Sequence, residues 1–348
     1  MLFNIEFDNG DEIVGYVVTD GVSASLDLQI FADGKECFEI RADQLRPALV
    51  AAGRHQNGAC GFTVSNLHIP DLAEVRDLEI REKDSNLLIY RRPAPQYVNR
   101  KIFRLETHLF PLWRFDNSIL QNFQYSSHNI ESFGRETTTQ LFLLNNVASI
   151  YLSGRVLYKN FAHYVESGFE TLALVQDPYE ELAERLLILA QSRKAPLSFM
   201  SERDSVSLIP AMAFIEDVDT ENAAAVHKAF KSVSDEAATV LADPLVRQLT
   251  TNLPGEMAGK NATSAALDVL SRFSIVGRRA QADKFIDACG QFIGIDSNSI
   301  SPISQFGKVT NLAEILRQSR HAGYLIEKDR ELYAHISAAS DSVSAKFS

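Results

Sequence analysis

The chain has 348 residues, 45% of them hydrophobic and 23% charged, and a formal net charge of −11 at pH 7. That length and apolar content supply at least one substantial core with room for two domains, which excludes a disordered or fibrous chain. The acidic balance argues against nucleic-acid binding, which needs concentrated Lys and Arg to displace counterions from phosphates. The opening residues, Met1–Glu12, are acidic where a secretion signal needs basic residues, and no run approaches the roughly 18 apolar residues of a membrane span. A cytoplasmic protein is expected. Cys37, Cys60 and Cys289 are odd in number and far apart, as suits reduced thiols. The eight His lack metal-ligand spacing, and no metal site is expected.

From Leu2 to Arg92 apolar and polar residues alternate between turn signals. Asn9-Gly10 separates Asn4–Asp8 from Asp11–Val18, and Asp33-Gly34 separates Leu26–Ala32 from Lys35–Ile40. Both dipeptides suit the positive φ angles of tight hairpins. Leu78, Ile80, Leu88 and Tyr90 continue the alternation around Asp84-Ser85-Asn86, and Ala42–Ala52 reads as a helical interlude. Residues 1–92 are therefore expected to form a small antiparallel β-sandwich. Two prolines, Pro93 and Pro95, stop the last strand and make 93–100 a linker.

Lys101–Phe123 reads as a helix broken at Pro111, Tyr125–Gly134 as a polar connection and Thr137–Asn146 as a helix. A β-α-β-α unit follows over Ile150–Leu189. Its first strand ends at Ser153-Gly154, a helix runs through Phe161–Val165, a buried strand spans Thr171–Val175, and Asp177-Pro178 opens the next helix. Asp caps such a helix and Pro fits its first turn. Units of this kind build parallel sheets with binding loops at the strand ends. Further helices are expected at Ala223–Leu241, Ala262–Arg272, Ala280–Phe292 and Val309–Arg317 and from Lys328, ahead of a flexible Ser-rich tail over 339–348.

Several residues could carry chemistry. Ser132–Gln140 places Arg135, Thr137, Thr138 and Thr139 at the start of a helix, where free N–H groups, the macrodipole and hydroxyls favour an anion. A Thr-rich helix start is the plainer alternative. Gln176 stands at the strand–helix junction, Arg155 at a strand end, and Arg247, Arg278 and Arg279 are candidate substrate contacts. No G-x-G-x-x-G follows a strand, and neither G-x-x-x-x-G-K-[ST] nor G-x-S-x-G occurs.

Val175–Leu182 resembles the Arg-Asp-Pro-x-x-Arg-x-x-Ser segment of carbohydrate sulfotransferases, and Leu152–Arg155 resembles the strand end that commonly reads Ser-Gly-His there. Ala242–Thr250, Leu270–Arg278 and Tyr324–Ile336 resemble three later segments of that family: a substrate-side turn, a sheet-edge strand with Val-Gly, and a terminal helix with Asp-x-x-Leu-Tyr. The resemblance covers 101–338. It implies an α/β fold in which a parallel-sheet sulfotransferase-like domain, with helices on both faces, follows the β-sandwich.

It also implies a donor, 3′-phosphoadenosine 5′-phosphosulfate (PAPS). Gln176, Glu181 and Glu184 stand where two Arg and a Ser would hold its 3′-phosphate. Arg135 with Thr137, Thr138 and Thr139 replaces the Lys-bearing loop for its 5′-phosphosulfate. Arg155 takes the catalytic position of a His near the acceptor, but it stays protonated and cannot act as a base. Gly15-Tyr16, Asp33-Gly34, Leu45-Arg46-Pro47, Gly53-Arg54-His55 and Cys60-Gly61-Phe62 resemble a small domain attached to bacterial polysaccharide glycosyltransferases. Three readings stay open. The chain is a sulfotransferase with an altered donor site acting on a saccharide hydroxyl, a non-catalytic partner of a saccharide or a polysaccharide-synthesis protein, or a transferase using another donor.

Overall fold

The computed structural model describes residues 1–20, 24–192 and 197–347. The N-terminal strands are β1 Leu2–Asp8, β2 Glu12–Val18, β3 Leu26–Ala32, β4 Lys35–Ala42, β5 Gln44–Leu45, β6 Ala59–Ser65, β7 Leu78–Glu82 and β8 Leu88–Arg91. They make two four-stranded antiparallel sheets, in the orders β1-β2-β6-β5 and β4-β3-β7-β8. The hairpin turns lie where the dipeptides place them, with Gly10 at φ 94°, Asp33 at φ 51° and Gly34 at φ 74°. The alternation also gives the buried set: Phe3, Ile13, Val17, Leu28, Ile30, Phe62, Val64 and Ile80. The interlude is shorter than expected, because Gln44–Leu45 pairs as β5 and only Pro47–Ala51 is helical.

A five-stranded parallel sheet follows, built from β9 Lys101–Leu105, β10 Tyr125–Ser127, β11 Ile150–Gly154, β12 Glu170–Val175 and β13 Ile275–Arg278. Its order is β10-β11-β9-β12-β13. This is the expected α/β architecture, with the 150–175 strands and the Val276-Gly277 edge strand as anticipated. The described residues group into two compact units, residues 1–101 with 120–127 and 133–152, and residues 102–119 with 128–132 and 153–348. In the second unit, Leu182, Leu186 and Leu189 of helix Pro178–Ser192 share a core with Leu312, Ala313 and Leu316 of helix Gly307–Arg317. No helix among the described residues is long and apolar enough to cross a membrane.

Several expected elements differ. Lys101–Phe123 does not form a broken helix: its first part is the middle strand β9, and only Trp113–Leu120 is helical. A strand buried on both faces loses its alternation, and here Ile102, Phe103, Arg104 and Leu105 are all buried. The polar segment after Leu120 contributes edge strand β10, in register from Tyr125 opposite Ile150. The Ala223–Leu241 helix divides, because Ser234 caps a new helix by accepting from Ala237 N at 3.2 Å. Ala242–Thr250 is mostly the helix Pro244–Thr250, entered through Asp243 at φ 40°. The last helix runs through Phe347, across the segment expected to be a flexible tail.

Gly154, at the end of β11, marks a close approach. A Cβ there would lie 2.5 Å from Glu131 Oε2 and 2.9 Å from Ile130 N. Gly154→Ala should therefore cost about 1–3 kcal/mol through overpacking, seen as a lower urea midpoint at unchanged m-value.

Candidate functional site

In open α/β sheets ligands bind beyond the carboxyl ends of the strands, and a loop leading into a helix offers its free N–H groups to anions. The middle strand β9 ends at Leu105 and reaches helix Trp113–Leu120 through Glu106–Leu112. Two N–H groups of this loop are turned onto the chain's own carboxylate. Leu112 N donates to Glu106 Oε2 at 2.8 Å and His108 N to Oε1 at 3.2 Å, while His108 Nδ1 lies 3.0 Å from Oε1. Arg104 Nη2 donates to Oε2 at 2.9 Å. Burial works to raise the Glu106 carboxyl, but the charges of Arg104 and His108 and their hydrogen bonds outweigh it and hold the group far below the usual carboxylate range.

Arg104 has a second anchor. It forks onto Asp116, with Nε–Oδ1 and Nη2–Oδ2 both at 2.7 Å, and Ser153 Oγ donates to the same Asp116 Oδ2 at 2.9 Å. Arg104, Glu106 and Asp116 are each 1% exposed and His108 is fully buried. One cation thus ties β9, the loop, the following helix and the end of β11 together.

At that end Arg155 N donates to Glu131 Oε2 at 2.8 Å. The Arg155 side chain donates to Leu109 O at 3.2 Å and pairs with Asp204 at 2.5 Å. Burial opposes its charge, but Asp204 and Glu131 outweigh burial and raise its pKa, so Arg155 is a fixed cation.

At the end of β12, Asp177 caps helix Pro178–Ser192 as expected, accepting from Tyr179 N at 3.0 Å and Glu180 N at 3.3 Å. Gln176 and Glu184 do not face each other across an open phosphate site. Arg279 Nη1 donates to both, at 2.8 Å each, and Arg279 Nη2 donates to Ser304 O at 2.9 Å. Burial and the neighbouring Glu181 raise the Glu184 carboxyl, against the pull of Arg279. Glu181 is taken by Arg185 at 2.9 Å.

The expected anion loop before helix Arg135–Phe142 is engaged elsewhere. Thr137 Oγ1 donates to Asp20 at 2.7 Å and accepts from the Met1 ammonium. Thr138 Oγ1 donates to Gly134 O at 3.1 Å and Thr139 Oγ1 to Arg135 O at 2.8 Å. Arg135 is exposed. These four residues belong to the first compact unit and Gln176 to the second, and the helix follows the edge strand β10 rather than the middle strand. Arg278 pairs with Asp341 at 2.5 Å. Arg155 and Arg247, 92 positions apart in sequence, do come together in one cleft, beside Arg185, Arg203 and Asp204. A second cleft of about 400 Å³ is lined by Phe110, Trp113, Phe306 and Arg114.

Glu106, His108, Arg185, Arg203 and Asp204 were not anticipated. The one signal available was Glu106-Thr107-His108 directly before Pro111 and Trp113, legible only once Lys101–Leu105 is recognised as a strand.

The chain is similar to a sulfotransferase from Alicyclobacillus acidocaldarius. Its crystal structure aligns at 11% identity over 66% of this chain and 96% of that one, with a TM-score of 0.30, too loose a likeness to transfer any residue's role. No protein-family model and no curated protein matches the chain.

Helix Pro244–Thr250, which carries Arg247, is held by a reciprocal cap. Asp329, 2% exposed, accepts from Leu245 N at 3.0 Å and Val246 N at 2.8 Å, while Asp243 accepts from Lys328 N and Asp329 N at 2.9 and 3.2 Å. Burial, joined by the charges of Asp243 and Glu181, pushes the Asp329 carboxyl up to about 7 against the pull of its two N–H bonds. The unfolded value is about 3.9, so the folded chain holds the extra proton between about pH 4 and 7. Stability then falls as pH rises through that window. Between pH 5 and pH 8 the wild type should lose about 1 kcal/mol or more relative to Asp329→Asn, measured by urea unfolding of both proteins.

Proposed function

We propose that the chain is a sulfotransferase-like protein of bacterial cell-surface polysaccharide biosynthesis or modification that binds or regulates and does not itself transfer sulfate. The observation that carries this reading is the Glu106 carboxylate, which accepts the N–H groups of His108 and Leu112 at the end of the middle strand. An incoming phosphosulfate would have to displace a buried, ion-paired carboxylate. Breaking a buried pair costs about 3–5 kcal/mol, or at least a hundredfold in affinity.

The second donor contact is opposed in the same way. Where the family resemblance implies a Ser for the 3′-phosphate, Glu184 presents a carboxylate that Arg279 already neutralises. Arg155 offers no base to an acceptor hydroxyl, since its charge is fixed by Asp204. PAPS therefore does not fit the residues present. The resemblance of the first ninety residues to a domain of polysaccharide glycosyltransferases supports the link to glycans. So does the cleft lined by Trp113, Phe110 and Phe306, aromatic residues that suit the apolar side of a saccharide.

Calorimetric titration of the full chain with adenosine 3′,5′-bisphosphate should give no saturable heat up to millimolar ligand. Micromolar binding would overturn the reading and favour a working sulfotransferase with an altered donor site.

A further inference from the structure

Arg155, Arg185, Arg203 and Arg247 come from four separate segments of the second unit and line one cleft of about 130 Å³. Asp204 is the one carboxylate among the described lining residues. It is committed to Arg155 at 2.5 Å and lies 3.9 Å from Arg203. Arg185 is held from behind by Glu181 at 2.9 Å, yet its buried Nε has no hydrogen-bond partner among the described residues. Arg247 has no carboxylate partner there: its guanidinium donates to the carbonyls of Glu256, Thr239, Ala242 and Pro254. Arg185 and Arg247 are 7% and 8% exposed.

Buried charges are normally paired, and a buried donor left unsatisfied is costly. Here four arginines line a space whose wall holds a single carboxylate, and the buried Arg185 Nε is left without a partner among the described residues. Burial and the like charge of Arg185 disfavour the Arg247 cation against the weaker pull of Asp243 and Asp329, a penalty that an anion in the cleft would relieve.

We propose that this cleft binds a small oxyanion, a phosphate or sulfate group, either free or as a terminal monoester. Planar guanidinium forks match tetrahedral oxyanions and hold them through paired N–H bonds. The volume agrees: it exceeds the roughly 30 Å³ share of one water and falls short of the 300–1,000 Å³ pockets that enclose whole cofactors. Leu109 of the loop after β9 also lines the cleft, but the four arginines lie outside that loop, so the proposal stands whether or not the loop takes a nucleotide.

The test is calorimetric titration of the full chain, at constant ionic strength set with sodium chloride, using inorganic phosphate, inorganic sulfate, glucose 6-phosphate and glucose. Saturable binding of the oxyanions, with none for glucose, is expected. Tighter binding of glucose 6-phosphate than of phosphate assigns a monoester, and equal binding assigns the free ion. The Arg203 side chain is 54% exposed, so Arg203→Gln should leave the unliganded melting temperature unchanged while weakening oxyanion binding at least fivefold. No saturable binding, or binding unaltered in Arg203→Gln, overturns the proposal. Unaltered phosphate binding accompanied by adenosine 3′,5′-bisphosphate binding would place the anion at the loop after β9 instead.

Discussion

A guanidinium buried at 1% exposure in the middle strand of a sheet is tolerable only if carboxylates meet it. Arg104 is met by two. Asp116 takes its Nε–Nη2 fork and Glu106 a second bond from Nη2, and each commits structure beyond itself. Asp116 orients helix Trp113–Leu120 and receives Ser153 from the neighbouring strand. Glu106 gathers the N–H groups of His108 and Leu112. The geometry at the carboxyl end of the sheet follows from satisfying this one charge.

The same arrangement repeats around the site. Arg279 closes on Gln176 and Glu184, Arg155 on Asp204, and Arg185 on Glu181. Wherever a phosphate-binding α/β protein would leave donors free for a ligand, most of these donors are satisfied from within. Such a network rigidifies a fold because each partner is expensive to remove. The cleft where Arg155 and Arg185 meet Arg203 and Arg247 keeps more positive charge than its described wall has carboxylates, and Arg185 Nε there is left without a partner among the described residues.

How much of this was legible depended on whether a residue's role was local. Asn9-Gly10 and Asp33-Gly34 announce their hairpins because the backbone angles of a tight turn select those residues. Asp177-Pro178 announces its helix because cap and first turn are adjacent in sequence. Strand β9 was illegible because Arg104 interrupts its apolar run, and only the distant Asp116 explains how a charge can sit there. Composition points to Arg135–Thr139 as the donor loop, since Thr hydroxyls at a helix start suit an anion; their partners Asp20, Gly134 O and Arg135 O use them up. Arg155 and Arg247 stand out individually in the sequence, but their convergence with Arg185 and Arg203 is a product of tertiary packing and leaves no motif.

The central claim, that the chain's own Glu106 carboxylate fills the cradle at the end of the middle strand, is tested most directly by a crystal structure grown from concentrated ammonium sulfate near pH 7. The account predicts Glu106 within hydrogen-bond distance of Leu112 N and His108 N, with no sulfate in the loop. A sulfate bound by those N–H groups, with Glu106 rotated away, would contradict it.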